Sequence, residues 1–133
     1  MKYMLDTNMC IYIIKKQPAK VLKKFMQLEV GDICISSITF AELMYGVEKS
    51  QHRQQNKEAL EEFTAPLEIV PFDDGAAAYY GQIRADLERK GTPIGSLDML
   101  IAAHAQYLDM ILVTNNRKEF VRVDNLKIED WVQ

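Results

Sequence analysis

The sequence has little of what several classes of protein depend on. It carries only two cysteines, Cys10 and Cys34, both in apolar surroundings and without metal-ligand spacing. That excludes a disulfide scaffold and a thiolate zinc site, and it leaves buried free thiols suited to a reducing compartment. The two histidines, His52 and His104, are poorly placed for a metal-free ribonuclease working through a histidine pair. His52 sits in a polar stretch, and His104 lies six residues past Asp98, about 600° round a helix and pointing largely away. No apolar run reaches the length of a membrane span. The amino-terminal apolar stretch stops at Asp6, too short for the core of a signal peptide, so the cytosol is the expected compartment. Positive charge is short as well. A net charge of −3 does not suit a non-specific polyanion binder, although local basic patches remain open to it. Repeats, low-complexity tracts and linkers are missing, so residues 1–133 read as one domain.

What is present is an alternation of short apolar runs and helical patterns. Tyr3-Met4-Leu5, Ile33-Cys34-Ile35, Leu67 to Val70, Met110 to Val113 and Leu126 to Ile128 read as strands. Between them fall a short helix over Met9 to Ile14 and a second from Pro18, with Val21, Leu22, Phe25 and Leu28 at helical spacing and Gly31 as its end. A third runs from Ser36-Ser37 to about Lys49 and is apolar on nearly all sides, which predicts a buried helix. The polar stretch Ser50 to Glu58 predicts a loop running into a polar helix through Phe63. Asp73-Asp74 opens a long helix to about Lys90, and a last one spans Ser96 to Tyr107. Strands alternating with helices predict an α/β fold, a three-layer α/β/α sandwich with a mainly parallel central sheet.

In such a sheet, sites form outside the carboxyl ends of the strands. Asp6 ends the first strand, where it serves either a site or as the cap of the helix that follows. Glu42 is the only charged residue between Ile33 and Val47, so it needs a partner there. A metal ion would serve, and so would a capping box with Thr39. Asp98 stands in a first helical turn, a place the helix dipole also favours for acids. Thr114-Asn115-Asn116 ends the fourth strand, with Glu119 a short turn on. Converging carboxylates without Cys or His ligands suit hard octahedral cations, Mg²⁺ or Mn²⁺, and the hydrolysis of phosphodiesters.

The segments Asp6-Thr7-Asn8, Ser36 to Gly46, Asp98 to Ala102 and Val113 to Asn116, in that order, resemble the PIN-domain nucleases. More closely, the whole chain is similar to the VapC-type ribonuclease toxins of bacterial toxin–antitoxin pairs. The resemblance implies that Asp6, Glu42 and Asp98 hold Mg²⁺ or Mn²⁺ and activate the attacking water, with Thr7 and Thr114 supporting them. The family's fourth acid falls at Asn116, an amide here, and Glu119 is the acid near enough to compensate. It further implies a cytoplasmic toxin that cuts RNA and inhibits translation. The enteric branch points to initiator tRNA, cut in the anticodon loop. A VapB-type antitoxin silences such toxins, intruding on the acidic pocket, and the toxins pair as homodimers within a larger complex.

Two alternatives stay open on the sequence. One is a DNA or flap nuclease of the same fold, and the other a non-catalytic partner-binding module in which Asn116 marks a decayed site. Among the cations, Arg117 and Lys118 adjoin the expected site and suit RNA phosphates, whereas Arg84 either reaches inward or stays solvated. Lys15, Lys16, Lys20, Lys23 and Lys24 form the densest basic cluster and read as a solvated face.

Overall fold

The structure, a computed structural model, describes residues 2–133. Five short strands, β1 (Tyr3–Leu5), β2 (Ile33–Ser36), β3 (Glu68–Val70), β4 (Ile111–Val113) and β5 (Ile128–Glu129), form one sheet in the order β3-β2-β1-β4-β5. Every pairing is parallel, so the sheet is wholly rather than mainly so. Seven helices surround it: α1 (Thr7–Lys15), α2 (Ala19–Met26), α3 (Ser37–Lys49), α4 (Arg53–Thr64), α5 (Asp74–Lys90), α6 (Ser96–Tyr107) and α7 (Arg117–Phe120).

Strand side chains alternate between two cores. Tyr3, Leu5, Ile33, Ile35 and Val113 pack with Met9 and Ile13 of α1, Leu43 of α3 and Leu60 of α4. Met4, Cys34 and Leu112 face the other way, onto Ile83 and Leu87 of α5, Met99 and Ala102 of α6, and Phe120 of α7. Both faces of the sheet are therefore covered, which is why its strands read as unbroken apolar runs. The α/β/α sandwich expected from the sequence is the one observed.

Local expectations fail in four places. Helix α3 is not buried all round: Thr39, Leu43 and Val47 are covered, while Tyr45 keeps 66% of its surface exposed. Its neighbours α1, α4 and α6 leave part of the outer side open, so apolar composition overstated burial. Helix α2 stops at Met26 with Gln27 as its cap, and Gly31 lies in a separate 3-10 turn, Val30–Asp32. The polar run from residue 50 is mostly helix, since α4 starts at Arg53. A helix bathed in solvent on most sides needs few apolar residues. The last strand also sits later than expected, at Ile128–Glu129. Both cysteines are free and buried. Among the described residues no helix is long and apolar enough to cross a membrane.

Candidate active site

A parallel sheet delivers all its carboxyl ends to one edge, and the acids gather there. Asp6 directly follows β1, and its N–H continues the ladder to the Val113 carbonyl at 3.0 Å. Its Oδ1 accepts from the Met9 N–H at 2.9 Å, so it does cap α1. It is also only 5% exposed, an expensive place for a charge. Burial pushes its carboxyl up to about 6, against the pull of the Thr114 hydroxyl and the Met9 N–H, while Glu42 and Asp130 push it further up. Thr114 is set for this: its Oγ1 accepts from the Asn116 N–H at 2.9 Å, which turns its own proton towards Asp6.

Glu42 makes no capping box. Ser36 caps α3 through the Ile38 N–H, and Thr39 lies fully buried inside the helix. Instead Glu42 Oε1 accepts from the Thr7 hydroxyl at 2.7 Å, which ties α3 to the first turn of α1. Asp98 stands in the first turn of α6, as the sequence indicated. Its carboxyl is pushed up to about 6, first by burial and then by Glu119, Asp6 and Glu42. Glu119 is held below its usual range by the Gly95 N–H, donating to Oε1 at 2.8 Å, and by the Asn116 amide, donating to Oε2 at 2.6 Å. Glu119 thus raises the Asp98 carboxyl while its own stays low. Four carboxylates from four separate segments thus share one electrostatic field.

Known proteins place the chain in a family. The PIN domain model matches residues 3–126. A tRNA(fMet)-specific endonuclease VapC from Shigella flexneri is 48% identical over 131 residues, 98% of each chain. The chain belongs to the VapC family of PIN domains. Among solved structures it is similar to the DNA-bound VapBC of Salmonella typhimurium, with a TM-score of 0.93, 47% identity and 98% of each chain covered. It is equally similar to VapBC2 of Rickettsia felis bound to a promoter DNA fragment, with a TM-score of 0.92, 47% identity, and 98% of this chain and 99% of that one covered.

In this PIN domain Asn116 spends its amide protons on Glu119, so the fourth negative charge at the sheet edge is that of Glu119. Every donor gathered here is oxygen, and two carboxyls are raised, first by burial and then by their acidic neighbours. Among the described residues no group of three acids converges tightly enough to clasp an ion directly. An all-oxygen donor set is the chemistry of Mg²⁺ or Mn²⁺, which keep several waters and bind through one or two carboxylates.

Arg117 and Lys118 are exposed on α7 beside this edge. Arg84 is exposed on α5, where it bonds the Tyr80 hydroxyl at 3.0 Å and Glu88 at 3.3 Å, not the acids. His104 is buried and its Nδ1 meets the Ser36 hydroxyl at 2.8 Å, away from the acids. Sequence reasoning missed Asp130, whose field reaches Asp6. It directly follows β5 as Asp6 follows β1, and a strand placed one residue later would have exposed it.

Proposed function

We propose that the chain is the toxin of a toxin–antitoxin pair, a metal-dependent endoribonuclease that hydrolyses phosphodiester bonds in RNA. The observation that carries this reading is the shared field of Asp6, Glu42, Asp98 and Glu119, with two of the four carboxyls pushed up to about 6. Initiator tRNA is the substrate we infer, after the name of the Shigella relative. Cleavage there would stop translation in the cytoplasm.

Asp6, Glu42 and Asp98 would hold the ion, with Glu119 beside them. A bound Mg²⁺ or Mn²⁺ supplies a Lewis acid for phosphate oxygens and lowers the pKa of a bound water. The chain's own groups orient the site. The Met9 N–H and the Thr114 hydroxyl fix the Asp6 carboxylate, and Thr7 fixes Glu42. Asn116 and the Gly95 N–H fix the Glu119 carboxylate beside Asp98. Arg117 and Lys118 stand where they can take flanking phosphates.

Purified protein incubated with total RNA and with initiator tRNA should give a discrete product with Mg²⁺ or Mn²⁺. EDTA and the Asp98→Asn variant should each abolish it. Cleavage that survives both would refute the assignment. A matched DNA cut at the same rate would turn it towards the DNA nuclease, and no cleavage of any substrate towards the binding module.

The partner is a VapB-type antitoxin, as in the VapBC complexes of the relatives. Toxin homodimers inside the larger assembly are the arrangement that the family resemblance implies. A groove of about 310 Å³ between α1, α3 and α4 runs from Glu42 past Gly46 to Ile14 and Leu60. An apolar antitoxin segment would fill it and bring a cation to Glu42. A β-carbon at Gly46 meets nothing within 4 Å, so Gly46→Phe should fold normally and plug the groove. Co-purification with the cognate antitoxin should be lost in that variant, and retention at the native level would move the interface elsewhere.

A further inference from the structure

Helix α3 carries Glu42, Tyr45 and Lys49 at i, i+3 and i+7, which sets them along one side. Glu42 belongs to the acidic field. Tyr45, one turn on, is 66% exposed, and the Lys49 ammonium lies 5.0 Å from its ring centroid. Leu97, next to Asp98 in the chain, is 46% exposed as well. Glu42 is therefore followed along its helix by an exposed aromatic ring that carries a cation over one face.

We propose that Tyr45 is the stacking platform for an unpaired nucleobase next to the scissile bond, with Lys49 on the following phosphate. The proposal rests on the ribonuclease reading above. Along the axis, Tyr45 and Lys49 stand about 4.5 Å and 10.5 Å from Glu42, the span of a few nucleotides stacked at about 3.4 Å each. The pairing of aromatic face and cation is how single-stranded nucleic acid is held without reading its sequence. A protein partner fits less well, because Tyr45 stands among Ala41, Glu48 and Lys49, all exposed, rather than in a contiguous apolar patch.

The test is steady-state cleavage of the initiator tRNA anticodon stem-loop, together with anisotropy binding of the labelled stem-loop to chains carrying Asp98→Asn. Tyr45→Ala should raise KM and Kd about tenfold or more with kcat little changed, and Tyr45→Phe should restore both. Lys49→Gln should lower the slope of log Kd against log salt by about one. An unchanged KM and Kd in Tyr45→Ala would overturn the proposal. So would a change of oligomeric state by light scattering that Tyr45→Phe leaves unrepaired, which would make this face a protein interface. A wild-type chain that cuts no RNA would instead sink the ribonuclease reading, and the stacking role with it.

Discussion

Asp6→Asn is expected to raise the melting temperature of the metal-free protein at neutral pH while abolishing RNA cleavage. Asparagine keeps the Oδ1 that accepts from Met9, so the cap on α1 survives. What it removes is a charge held in a poor place. The Asp6 carboxyl is raised from 3.8 to about 6 in the folded chain. The folded state then binds the proton more tightly than the unfolded state does. The stability this contributes is full below 3.8 and is lost as pH rises through about 6. Above that, ionised Asp6 weighs against folding by on the order of 3 kcal/mol, at 1.36 kcal/mol per unit. The variant should therefore gain several degrees at neutral pH and show a flatter pH dependence between 4 and 7. Its removal also relieves Asp98, which feels the Asp6 charge. Thermal denaturation in EDTA across that range checks this. A variant no more stable than the native chain at neutral pH, with the same slope, would refute it. Added Mn²⁺ should stabilise the native chain and leave the variant unmoved.

The second large effect is expected at His104, a neutral histidine joining three elements. Ser36 Oγ accepts from the Ile38 N–H at 3.0 Å and pairs with His104 Nδ1 at 2.8 Å. The Phe72 ring meets the imidazole edge to face at 5.4 Å. His104→Ala leaves a cavity and strands the Ser36 hydroxyl, a loss of about 3 kcal/mol. Cleavage should fall too, since Ser36 caps the helix bearing Glu42 and His104 lies on the helix bearing Asp98. The pH behaviour runs opposite to that of Asp6. Burial lowers the His104 pKa below 6.5, so the folded chain binds its proton less tightly than the unfolded chain. Its contribution is full above 6.5 and is lost as pH falls below that value. His104→Phe, which fills the space without titrating, should lose this acid-side weakening. Denaturation midpoints at several pH values measure it, and an unaltered acid limb would contradict it.

The layered fold was legible because β1, β2 and β4 are apolar on both sides and their helices carry strong end signals. Asp73 caps α5 through the Ala76 N–H, and Gly91 closes it with φ 71°. Asp6, Glu42 and Asp98 could be named for a different reason: Asp6 ends a strand, Asp98 stands in a first helical turn, and Glu42 is the lone charge of an apolar stretch, where an acid needs company. Their partners could not be read. Thr7 reaching Glu42 and the Gly95 N–H reaching Glu119 join segments far apart in the chain. Nor could the sequence tell an apolar helix that is buried from one at the edge of its layer, as Tyr45 shows.

The strand order has a consequence for how such a chain is made. β1 is the middle strand, and it waits for β4 on one side while β2 closes on the other. Asp6 and Glu42 are made long before Asp98, and Glu119 is made later still. A chain that stops short of α6 and α7 holds only half of the acids beside a sheet that still lacks β4 and β5, so the acidic field and the sheet that carries it are completed together.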